Sequence, residues 1–84
     1  LIQVSNPMTP DSTLDASGLQ CPMPLLKTKL ALRDLSPGQV LEVMATDAGS
    51  LVDIPRYLEK SPHTLLSQSE ADADRYIFLI SCGV

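Results

Sequence analysis

A cysteine is followed at the first and third places by proline in the run Gly18-Leu19-Gln20-Cys21-Pro22-Met23-Pro24-Leu25. A residue ahead of proline is driven toward extended backbone, and a helix N-cap needs that same geometry. Proline at the first helical position loses nothing, because its missing N–H would be unpaired there. Pro24 still falls among the four unpaired donors of a first turn. The spacing predicts Cys21 as the N-cap of a helix, with Pro22 and Pro24 setting the helix start. A thiolate there faces the positive end of the helix dipole, which lowers a cysteine pKa. The prolines also delete donors, leaving Met23 and Leu25, so the predicted activation is moderate. That suits a sulfur that accepts a group and gives it up. A cysteine hydrolase needs a placed base; none is adjacent in sequence, and Asp15 and His63 are candidates only as spatial neighbours.

Cys82, the second cysteine, follows the apolar run Tyr76-Ile77-Phe78-Leu79-Ile80 and reads as structural. A redox dithiol of Cys21 and Cys82 requires sulfurs within bonding reach. Nothing in the sequence points to the oxidising compartments where disulfides persist, so a cytoplasmic protein with free thiols is expected. One histidine and two separated cysteines cannot assemble a close set of zinc ligands. No metal and no cofactor are expected. Asp47 and Asp53 read as capping residues of a turn and of a second helix start, with partner contact as the lesser reading. Asp15 reads as a strand-end and turn residue rather than a base.

The elements that must hold Cys21 come from one small domain. The chain has 84 residues, 44% of them apolar, enough for a compact core. Six basic against ten acidic side chains give a net charge of −4. Without a basic cluster, and with only Tyr57, Tyr76 and Phe78 as aromatics, direct nucleic-acid binding is not expected. No segment approaches the ~20 apolar residues of a bilayer span, and Leu1 to Ser12 lacks the pattern of a secretory signal. Residues 1–12 are expected to be a disordered or extraneous extension, with Met8 a conceivable natural start and 13–84 the single domain. Strands are predicted over Ser12–Ala16, Gln39–Thr46, His63–Ser69 and Arg75–Cys82, with an acidic turn from Glu70 to Asp74. Helices are predicted over Pro22–Leu35, stopped by Ser36-Pro37-Gly38, and over Leu51–Lys60, stopped by Ser61-Pro62. The order β-α-β-α-β-β implies an α/β (α+β) two-layer sandwich, one sheet with both helices on one face.

At roughly 100° per residue, the first helix divides into two apolar arcs. Leu25, Thr28, Ala31, Leu32 and Leu35 form the arc free of charge, which can face the sheet without burying ions. Met23, Leu26 and Leu30 are left outside, flanked by Lys27, Lys29, Arg33 and Asp34. Such a strip, starting two residues after Cys21, is expected to dock a partner.

The chain resembles the TusA/SirA family of sulfur-carrier proteins from Thr13 to about Ser81. The resemblance is carried by Leu14-Asp15-x-x-Gly18-Leu19-x-Cys21-Pro22-x-Pro24-Leu25, by Pro37-Gly38, by Val43-x-Ala45-Thr46-Asp47, by Asp53-Ile54-Pro55 and by Arg75-Tyr76-x-Phe78-Leu79-Ile80. It implies a sandwich of four strands in a mixed sheet with two helices. It implies that Cys21 accepts sulfane sulfur as a persulfide from a cysteine desulfurase or other donor and passes it to an acceptor protein. The implied destinations are 2-thiouridine in tRNA, molybdenum-cofactor assembly and sulfur metabolism, including oxidation of reduced sulfur and thiosulfate uptake. The carrier is expected to be a sulfurtransferase-type protein that works with partner enzymes, needs no cofactor and is a monomer when free. The resemblance also assigns desulfurase contact to Met23, Leu26, Lys27 and Leu30. Leu30 stands where many relatives carry a basic residue, and Ser81-Cys82-Gly83-Val84 replaces a basic C-terminal end. A competing reading is a non-catalytic adaptor domain that binds through the same apolar strip.

Overall fold

The computed structural model describes residues 10–72 and 74–84. Its elements are β1 (Ser12–Ala16), α1 (Met23–Arg33), β2 (Val40–Ala45), α2 (Ser50–Glu59), β3 (Thr64–Asp72) and β4 (Arg75–Ser81). The strands form one mixed sheet in the order β1-β2-β4-β3. β1 and β2 are parallel, with Leu14 opposite Val43 and Ala16 opposite Ala45. β4 runs antiparallel to both β2 and β3. The two crossovers, through α1 and through α2, travel in the same direction across the sheet. Right-handed crossovers of that kind lay both helices on one face, and the expected α+β two-layer architecture is the one observed.

Period-two alternation selects the face the helices cover. Leu41, Val43 and Ala45 of β2 and Phe78 and Ile80 of β4 are buried against Leu32 of α1 and Ile54 and Leu58 of α2. Each such Leu, Ile or Phe contributes about 1.5–3 kcal/mol relative to exposure. Thr28 is also buried on this face, and its hydroxyl donates to the Pro24 carbonyl at 2.8 Å. The inward arc of α1 is thus satisfied without a buried charge.

β2, α2 and β4 lie within one residue of expectation at each end, and three other boundaries differ in ways that matter to the fold. Asp11 and Ser12 belong to the fold rather than to the extension expected over 1–12: the Asp11 N–H donates to the Val40 carbonyl, and Asp11 Oδ2 accepts from the Val40 N–H, both at 2.8 Å. Pro10 precedes them without regular structure, and residues 1–9 of that expected extension lie outside the described residues. β3 continues through Glu70 and Ala71 to Asp72, replacing most of the predicted acidic turn. β3 is an edge strand, where charged residues can keep water while their backbone pairs. The helix after Cys21 begins at Met23 and ends at Arg33, with Asp34 and Leu35 closing it through i→i+3 bonds to Ala31 and Leu32 at 3.2 Å.

Candidate functional site

Parallel strands end at the same edge of a sheet, and ligand sites of open α/β sheets gather there. The Ala16–Ala45 pair closes the β1–β2 ladder, so the loops entering α1 and α2 leave side by side. Gly18, at φ 81°, turns the first loop, and its N–H donates to Thr46 Oγ1 of the second at 2.8 Å. This stitch joins the segment before Cys21 to the segment before α2. Asp15 plays the turn role expected of it, its Oδ1 accepting from the Ser17 N–H at 3.0 Å. That bonding with Ser17 holds its carboxyl below the usual range.

Cys21 is exposed and unpaired. It is not the helix N-cap. The Met23 N–H donates to the Gln20 carbonyl at 2.8 Å, closing a tight turn around Cys21 and Pro22, and Pro22 takes the N-cap place. Pro22 and Pro24 do set the helix start: Pro22 offers its carbonyl to Leu26 at 3.0 Å, and Pro24 packs buried in the first turn.

The surroundings of the sulfur are acidic. Asp47 Oδ2 accepts from the Cys21 N–H at 3.2 Å and from the Gly49 N–H at 3.0 Å. The Cys21 thiol donates to Asp53 Oδ2, across 32 residues of sequence. The hydrogen bond to Asp53 pushes the Cys21 thiol above its ordinary value, reinforced by desolvation and by the charges of Asp53 and Asp47. The lowered pKa expected from the α1 dipole is therefore overturned. The proline-bearing first turn of α1 has few amides to offer, while the Asp53 carboxylate bonds the sulfur and the Asp47 carboxylate bonds the amide of the same residue.

Asp53 was expected to cap α2, but its carboxylate is turned to Cys21, and the α2 N-cap is Gly49 with no side-chain cap. Gly49 is a close neighbour. A Cβ there would lie 2.7 Å from Asp47 Oδ2, 3.0 Å from Cys21 Cβ and 3.5 Å from Cys21 Sγ. Any larger residue would wedge the α2 start away from the cysteine. His63 is not at this site: its Nδ1 accepts from the Gly83 N–H at 3.0 Å, and its ring lies 6.4 Å from that of Tyr57. No group of three or more His, Cys, Asp or Glu positioned to hold a metal occurs among the described residues.

Cys82 is buried at 2% exposure, near the C-terminal end of α1. Its sulfur lies 3.7 Å from the carbonyls of Leu32 and Leu35 and 3.1 Å from that of Val84. The eleven residues of α1 separate its two ends by about 16 Å at 1.5 Å per residue, well beyond disulfide reach. The Cys21–Cys82 dithiol is excluded.

On the outside of α1, Met23 (41%), Leu26 (43%) and Leu30 (58%) are the exposed apolar strip. Lys27 beside them is exposed. Leu26 and Leu30 line an open groove of about 470 Å³ with Lys29, Arg33 and Tyr57. Lys29 Nζ sits 4.9 Å from the centre of the Tyr57 ring, a cation–π contact that ties α1 to α2. The contribution of Tyr57 to this surface was not legible from a helical layout of α1 alone. No helix among the described residues is long and apolar enough to cross a membrane.

The sequence pattern of the family described as Sulfurtransferase TusA matches residues 12–81. The putative sulfur carrier protein YrkI of Bacillus subtilis is 46% identical over 76 residues, covering 90% of this chain and all of that protein. The sulfur carrier protein TusA of Allochromatium vinosum is 43% identical over 70 residues, covering 83% of this chain and 91% of its own. The crystal structure of a SirA-like protein from Desulfitobacterium hafniense superposes with a TM-score of 0.75 at 27% identity, over 87% of this chain and 99% of that one.

Proposed function

The chain belongs to the Sulfurtransferase TusA family, and we propose from this premise that it is a sulfur-relay carrier whose acceptor atom is Cys21 Sγ. The observation that carries the reading is the placement of Cys21. It is an exposed free thiol in a tight turn at the carboxyl edge of β1 and β2, held by its amide and its sulfur to Asp47 and Asp53. A donor persulfide R–S–SH is attacked at its outer sulfur by Cys21 Sγ. The donor S–S bond breaks as the new Cys21 S–S bond forms, and the Cys21 proton ends on the departing donor sulfur as R–SH. The sulfane sulfur changes hands without net oxidation or reduction. The reverse exchange, onto an acceptor cysteine, unloads the carrier.

No general base of its own is required, because the reaction completes only inside a partner's active site. The donor proposed is a cysteine desulfurase, whose pyridoxal phosphate belongs to the donor and not to this chain. Met23, Leu26, Lys27 and Leu30 are proposed as its docking residues, an apolar strip with a cationic rim. A monomeric carrier in the cytoplasm fits a thiol that must stay reduced between cycles. Whether sulfur goes on to tRNA 2-thiouridine, to molybdenum-cofactor assembly or to sulfur metabolism is decided by which acceptor protein unloads it.

The test is incubation with a cysteine desulfurase, pyridoxal phosphate and cysteine, read by intact mass. The wild-type chain and Cys82→Ala gain one sulfur atom; Cys21→Ala gains none. Retention of the added sulfur by Cys21→Ala would contradict the proposal. The adaptor reading uses the same strip and separates cleanly, because it requires partner-dependent function to survive Cys21→Ser.

A further inference from the structure

Building on the carrier reading above, we propose that Asp53 is a proton latch on Cys21: its carboxylate keeps the sulfur in the S–H form while the carrier is free, and a cationic group of the partner opens the latch by pairing with that carboxylate.

The geometry has a direction. A carboxylate can only accept, so the Cys21–Asp53 contact exists while the sulfur carries its proton. Once the proton leaves, two anions face each other across the same short gap. Asp47 adds to this from the loop between β2 and α2, where its Oδ2 is fixed by the amides of Cys21 and Gly49. Other elements around the thiol offer little to oppose the two acids. Of the amides at the α2 start, Gly49 N–H goes to Asp47 Oδ2, Leu51 N–H to the Ala48 carbonyl, and Val52 and Asp53 N–H to the Gly49 carbonyl. They are already bonded within the loop and the first turn of α2. Asp15, at the end of β1, is bonded to Ser17. Among the described residues, the charged groups that bear on the sulfur are Asp53 and Asp47.

A carrier latched in this way is a poor nucleophile toward stray disulfides and electrophiles, since the thiolate is the reactive form. A lysine or arginine of the donor placed against Asp53 removes the acceptor, neutralises its charge and favours loss of the proton. In the exchange that follows, the Cys21 proton leaves with the donor sulfur as R–SH, and no further reagent is consumed. The surface is polar in the electrostatic sense. The mouth is acidic, while the strip along α1 is rimmed by Lys27, Lys29 and Arg33. The partner that fits carries a cation opposite the mouth.

The latch is tested on the full chain without any partner. The rate of Cys21 alkylation by iodoacetamide is followed across pH in wild type, Asp53→Asn and Asp47→Asn, with peptide masses locating the label and thermal melts confirming folding. Asp53→Asn is expected to move the midpoint of the profile to lower pH and raise the rate at pH 7 by roughly three- to ten-fold. Asp47→Asn shifts it the same way by less. Should Asp53→Asn fail to fold, Asp53→Ser carries the same expectation. A midpoint that stays or rises overturns the latch. The cationic opening is read with two disulfides, dicationic cystamine and uncharged 2-hydroxyethyl disulfide. The ratio of their rates falls at least about twofold in Asp53→Asn, and an unchanged ratio rules the cationic opening out. None of these readouts involves sulfur loading, so the latch can fail while loading of Cys21 stands, and loading can fail while the latch stands.

Discussion

Cys21 precedes the first turn of α1, and Cys82 lies beneath its last, where the Leu32 and Leu35 carbonyls are 3.7 Å from its sulfur. Both are free thiols. Their neighbours differ in kind. Cys82 is enclosed by the backbone oxygens of Leu32, Leu35 and Val84 and by core side chains, which hold it as a small apolar residue with a weak donor. Cys21 meets two carboxylates at an exposed edge. Exposure alone therefore does not make a thiol reactive: at Cys21 access is open while ionisation is opposed. A carrier whose thiol is held in reserve, as proposed for Cys21, gains from that combination.

The sharpest way to break the comparison is alkylation under native conditions with both sites counted by peptide mass. Cys21 should label slowly but without any opening of the fold, while Cys82 waits for opening of the core and labels at least about a thousandfold more slowly still. Comparable rates would mean that the Cys82 enclosure is not stable in solution. A stability measurement sharpens the other half. Cys82→Ala leaves a cavity in the core beside the end of α1 and should cost about 1–3 kcal/mol in urea unfolding, whereas Cys21→Ala should stay within about 0.5 kcal/mol. A third variant asks whether the Cys21 end is distinguished by its docking strip. Leu30→Glu, at 58% exposure, should weaken desulfurase binding by about tenfold or more, with the melting temperature nearly unchanged. Titration calorimetry reads the affinity, and unaltered binding removes Leu30 from the docking surface.

How much of this was legible in the sequence differs between the two ends of α1. The element order, the one-face packing of the helices, the inward arc through Thr28 and Leu32 and the exposure of Met23, Leu26 and Leu30 all follow from periodicity, because they are set by neighbours three to eight residues away. The stop at Ser36-Pro37-Gly38 was equally plain, with Gly38 at φ 89° after Pro37. The electrostatics of Cys21 were not local. They depend on two acids 26 and 32 residues downstream that reach Cys21, one at its amide and one at its sulfur, only because parallel β1 and β2 end together. A helical dipole argument saw the few amides of the α1 start and missed the carboxylates across the loop. Asp-Ile-Pro was visible as a motif, but a carboxylate near a helix start has a ready local role in capping, which concealed the distant one. Tyr57 was missed for the same reason: it completes a groove whose other wall is a different helix.

Cys21 Sγ is proposed as the one atom that carries sulfur, and peptide mapping of the loaded protein tests this most directly. After exposure to a cysteine desulfurase with cysteine, persulfides are trapped with iodoacetamide and the chain is digested. The additional sulfur should be found on the peptide containing Cys21-Pro22-Met23-Pro24 and be absent from the one ending Ser81-Cys82-Gly83-Val84. Sulfur on Cys82, or no sulfur on Cys21 in a chain that binds the desulfurase, would contradict it.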